Sequence, residues 1–111
     1  MTQYERGDVV EASDPFRERN PSRPFCIVST PDHLFHGEQY LALTFTTKTW
    51  YEETIAVTSD DFTEGGVPAD SSLVPWGVVS PAHEDIIDWF GRVEQPVVDT
   101  AVEQLVRYLG I

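Results

Sequence analysis

Three arginines fall within seven residues, "RERNPSR" (17–23), of a 111-residue chain that holds only seven basic residues in all. Arginine's planar fork grips phosphate oxygens two at a time and keeps its charge at any working pH, so such a cluster reads as an anion site. Arg23 stands at the start of a predicted strand, whereas Arg17 and Arg19 belong to the looser segment before it. Two acids, Asp14 and Glu18, lie in the same stretch. On composition alone the arginines pair with these acids on a solvated surface, which would leave no site at all. A carboxylate set among guanidiniums has a lowered pKa and is a weak base, so Asp14 and Glu18 serve better to orient arginines than to take protons.

The other groups able to do chemistry are sparse. Imidazole is the side chain suited to proton transfer, but His33, His36 and His83 are scattered and match no zinc spacing, so neither a metal nor a cofactor is expected. His33 is a distant candidate base, and the three read chiefly as surface or packing residues. Trp50, in "TTKTWYEE", neighbours Lys48 and could stack a nucleic-acid base, or simply pack its loop. Trp76 and Trp89 fall in predicted strands and read as core or as the seam of a dimer.

Nineteen acids against seven bases give a formal net charge of −12, with one lysine, Lys48. The acids run from Glu5 to Glu103, interleaved with apolar residues, as in proteins kept soluble in a salt-rich cytoplasm. At molar salt the Debye length is about 3 Å, so distant carboxylates are screened while a direct arginine–phosphate contact survives. A halophilic origin is therefore expected, in preference to an acidic imitation of nucleic acid. A lone cysteine, Cys26, excludes an internal disulfide and fits a reducing cytoplasm. No apolar run is long enough to span a membrane, and "MTQYERGDVV" lacks a signal-peptide pattern.

These residues must be positioned by short strands. Period-2 patterning and turn residues predict strands at "GDVVEA" (7–12), "RPFCIVST" (23–30), "QYLALTFTT" (39–47), "ETIAVTS" (53–59) and "IDWFGRV" (87–93). "LVPWGVV" (73–79) reads as a strand interrupted by Pro75, hence an edge or a bulge. "EGGVPADSS" (64–72) reads as a loop. "SPAHEDI" (80–86) predicts one or two helical turns capped by Ser80. "QPVVDTAVEQLVRYLG" (95–110) has apolar residues on one helical face, Pro96 at its entry and Gly110 at its exit. Five or six strands and a terminal helix predict one domain over residues 1–111, a small, strongly bent β-barrel with the helix packed on it.

In order and spacing, "RGDVV", "SDP" and its charged loop, "RPFCIVS", "YLALTFTT", "SSLVPWGVV", "FGRV" and the closing helix resemble the MazF/PemK (Kid) family of toxin–antitoxin ribonucleases. The resemblance runs from Arg6 to Ile111. It implies an SH3-like barrel, a homodimer, a cognate antitoxin covering the active groove, and metal-independent cleavage of single-stranded RNA by the neighbouring 2′-hydroxyl. It places Arg23 and Thr46 at catalytic positions. Arg17, Arg19, Thr47, Lys48 and Trp50 are then expected to bind RNA. Thr47, one residue from Thr46, should face the other way on a strand. One departure stands out: where many active members carry a polar or charged cluster, this chain has Val78, Val79 and Ser80. Two alternatives therefore remain: a non-catalytic binding module on the same barrel, and a gyrase-poisoning toxin acting through the end of the helix.

Overall fold

The computed structural model describes residues 3–13, 22–48, 52–67 and 71–111. They form seven strands: β1 (Asp8–Ser13), β2 (Ser22–Ile27), β3 (Ala42–Thr46), β4 (Ile55–Val57), β5 (Phe62–Gly65), β6 (Ser71–Val79) and β7 (Ile86–Val93), followed by helix α1 (Gln95–Leu109). All pair antiparallel in one curled sheet of order β4-β6-β3-β2-β1-β7-β5, a half-barrel whose two ends stay unjoined. Among the described residues, no helix is long and apolar enough to cross a membrane.

Alternation along the central strands builds two cores. Val9, Cys26 and Leu43 lie side by side across β1, β2 and β3 and point to one face, where Val98 and Ala101 of α1 cover them. Val10, Phe25, Ile27 and Ala42 point to the other face and gather Ala12, Tyr40 and Val79. Cys26 is fully buried in the first core, and burial, reinforced by the nearby Asp8 charge, pushes its thiol up to about 12. A thiolate is the reactive form, so a disulfide reagent at pH 8 should find no reactive thiol in the native protein and one after denaturation.

The helix follows its sequence signals. Pro96 sits in its first turn, and Gly110 ends it at φ +75°, a conformation that glycine adopts without strain. The start of β1 is tied down from two sides. Arg6 donates to the Val28 carbonyl (2.9 Å) and to Asp99 of α1 (2.7 Å), and with Gln95 it holds the Asp99 carboxyl below its ordinary pKa. Asp8, 2% exposed, accepts the Glu5 N–H (2.6 Å), the Arg92 Nε–H (2.9 Å) and the Trp89 indole N–H (3.1 Å). Gly7 between them adopts φ +97°. "RGD" is thus a structural staple.

Two expectations are corrected and two narrowed. The described residues form seven strands, because β5 emerges from a segment without strong strand character once its backbone pairs with β7. Of the two readings of β6, an edge or a bulge, the bulge holds: the strand lies between β4 and β3, and Val74–Gly77 face the single residue Thr44. The predicted helical turns shrink to one 3₁₀ turn, His83–Asp85, preceded by Ala82; Ser80 does not cap it and instead accepts a hydrogen bond from Gln39 (2.9 Å). Of the two readings of Trp76 and Trp89, core or dimer seam, the core is excluded, since they are 46% and 38% exposed.

Candidate active site

Arg23 lies on the face of β2 that carries Phe25 and Ile27. Phe25 pairs with Thr44, and the same register carried two residues further sets Arg23 across from Thr46. Thr44 and Thr46 therefore share a face with the guanidinium. The bulge in β6 brings Val74 and Trp76 alongside. Together Arg23, Thr44, Phe45, Thr46, Thr47, Lys48, Val74 and Trp76 line an open groove of about 340 Å³.

The groove is preorganised. Arg23 Nη2 donates to the Phe45 carbonyl at 2.6 Å, which anchors one edge of the fork beside β3. Thr46 Oγ1 accepts the Lys48 N–H at 3.1 Å, which turns the chain as it leaves β3 and leaves the hydroxyl proton to donate elsewhere. Because β3 ends at Thr46, strand alternation no longer governs Thr47, and it lines the same groove instead of the opposite face. A Cβ at Gly77 would strike the Thr44 hydroxyl oxygen, so a larger residue there would turn the threonine side chain away. Two cations and three hydroxyls meet here, and no carboxylate or imidazole is among the described lining residues. In a chain of net charge −12, the described lining residues bring together cationic and hydroxyl donors suited to a phosphate.

The structure thus gathers Arg23, Thr46, Thr47 and Lys48, and adds Thr44 and Trp76, which sequence reasoning missed. Thr44 is signalled only by its two-residue offset from Thr46, and Trp76 only by the neighbouring Pro75. His33 is not in the groove; its Nδ1 accepts the Phe35 N–H at 3.0 Å within the loop after β2. His83 meets the Tyr40 hydroxyl at 2.7 Å, and the His36 ring packs on that of Tyr40, so both belong to the second core's margin. Arg17, Arg19, Asp14, Glu18 and Trp50 lie outside the described residues. At the departure from the family pattern, Val79 is buried, Val78 faces Leu43 across the sheet, and Ser80 bonds Gln39, so nothing there enters the groove. No group of three His, Cys, Asp or Glu among the described residues could hold a metal.

A curled antiparallel half-barrel with one helix on its face and a cationic groove beside its second and third strands defines a structural class. No protein-family model matches the sequence, and no curated protein sequence matches it. Solved structures match over the whole length. A mycobacterial endoribonuclease in complex with its cognate antitoxin is 20% identical with a TM-score of 0.74, covering 100% of this chain and 97% of that one. MazF of Deinococcus radiodurans is 12% identical with a TM-score of 0.78 and complete coverage of both chains. The same organism's MazE–MazF structure gives 0.79 at 12% identity over 99% of each chain. This chain has the MazF fold.

Proposed function

We propose that this chain is an endoribonuclease of the MazF toxin class, cleaving single-stranded RNA in the Arg23 groove. The observation that carries the reading is the meeting, on this fold, of Arg23, Lys48 and the threonine hydroxyls in one groove of a strongly acidic protein. In the reaction the 2′-oxygen loses its proton and attacks the adjacent phosphorus. The P–O5′ bond breaks, and a 2′,3′-cyclic phosphate and a 5′-hydroxyl remain. Arg23 and Lys48 stabilise the charge on the phosphorane, and the Thr46 hydroxyl donates to one of its oxygens. Asp14 or Glu18, in the segment that leads into β2, would orient Arg23 or relay the proton. Arg17, Arg19 and Trp50 would extend the contact along the strand. The reading carries with it a cognate antitoxin, a homodimer, a cytoplasmic site of action and tolerance of molar salt.

The groove's own residues favour one second reading. None of the described lining residues is a carboxylate or an imidazole, and Val78, Val79 and Ser80 supply no replacement, which fits a barrel that binds RNA without cutting it. Product analysis separates the two. Wild-type protein in molar KCl with chelator should convert single-stranded RNA to fragments ending in cyclic phosphate and leave DNA of the same sequence intact. RNA that is bound but uncut would establish the binding module.

A further inference from the structure

We propose that Trp76 is the platform on which a base of the bound strand stacks, a role that rests on the reading of the groove as an RNA site. Nothing in the sequence singles this tryptophan out over Trp50 or Trp89. In the structure it alone of the described tryptophans lines the groove, together with both of its cations, Arg23 and Lys48. A tryptophan in the middle of an interior strand belongs in a core, yet Trp76 is 46% exposed. The bulge explains this. With Val74–Gly77 set against Thr44 alone, β6 lifts Trp76 out of the pleat and over the groove.

The bulge is built to hold that position. Pro75 is buried and fixes the backbone before the indole. Gly77 after it lets the Thr44 side chain sit against the strand, where any larger residue would collide with the hydroxyl. Tyr108 of α1 meets the indole edge-on, with ring centroids 6.3 Å apart and planes at 67°, so the ring is braced from the helix. Arg23 lies on β2 and Trp76 on β6, with β3 between them, a separation of two strand spacings or about 10 Å. That span suits a phosphate held at Arg23 and a base held at Trp76 from the same stretch of strand. A flat indole beside cations takes any base, so Trp76 sets affinity and register more than sequence choice.

The test uses a labelled single-stranded oligodeoxynucleotide of mixed sequence, which lacks the attacking hydroxyl and cannot be cleaved. Its binding is followed by anisotropy to wild type, Trp76→Phe and Trp76→Ala, each shown to melt as the wild type does. Trp76→Ala should weaken binding about tenfold to a hundredfold, and Trp76→Phe should restore most of it. Quenching of intrinsic tryptophan fluorescence on binding should be present in wild type and largely lost in Trp76→Phe, which a merely structural role would not produce. Unchanged affinity in Trp76→Ala, with wild type binding well, overturns the platform and leaves the RNA site standing. Failure of wild type to bind either this probe or RNA overturns the RNA site and the platform with it.

Discussion

Replacing Asp8 by alanine is expected to destabilise the fold by about 3 kcal/mol and to lower its melting temperature by roughly 10–15 °C. The carboxylate is buried and accepts three donors, from Glu5, Arg92 and Trp89. Removing it leaves the Glu5 amide without its acceptor and strands the Arg92 charge beside an apolar hole. The loss stays near the lower end for a broken buried pair because the Arg92 side chain is 45% exposed and can return to water. Asp8→Asn, which keeps the shape and an acceptor oxygen, should cost less. Thermal melts of the three proteins decide it. A shift under 3 °C in Asp8→Ala would mean that the tie between β1 and β7 rests on the backbone ladder alone.

Arg23→Ala should lower the rate of RNA cleavage by about 10²–10³-fold, the loss expected when one preorganised charge-stabilising donor is removed. Its melting temperature should stay close to the wild type, because Arg23 is only partly buried at the start of β2 and the Phe45 carbonyl it releases lies beside an open groove that water can enter. Arg23→Lys should recover part of the activity, since a lysine keeps the charge but loses the fork. Stability and activity therefore separate along the same sheet. Asp8, at the β1–β7 side, holds the barrel, and Arg23, at the β2–β3 side, works in the groove.

What local pattern determines was legible before the structure. The closing helix could be read from its apolar spacing with Pro96 and Gly110 at its ends, and β2 and β3 from their apolar runs. The β1 strand, with its "RGD" opening, was placed within a residue. What non-local pairing determines was not legible. The β5 strand exists because β7 offers it a ladder, and nothing in "FTEG" announces a strand. Pro75 correctly signalled a bulge, but the position of β6 in the sheet's interior depends on the short β4 pairing outside it.

The site divides in the same way. Arg23 and Thr46 were reached through the family resemblance, and the β2–β3 register explains why those two positions meet. Strand alternation would turn Thr47 to the face opposite Thr46, but β3 ends at Thr46 and Thr47 lines the groove. Trp76, in its apolar run, reads as core or as the seam of a dimer, and its exposure rules out the core alone. Only the mismatch of four residues against one, a property of two strands together, turns it into the groove.

The most direct measurement of the central claim is single-turnover cleavage of end-labelled single-stranded RNA in molar KCl with chelator, with wild type and Arg23→Ala side by side and both confirmed folded. Fragments ending in cyclic phosphate are expected from the wild type, and a rate at least a hundredfold lower from the variant. Equal rates from the two proteins, or wild-type cleavage that vanishes with chelator, would contradict that claim.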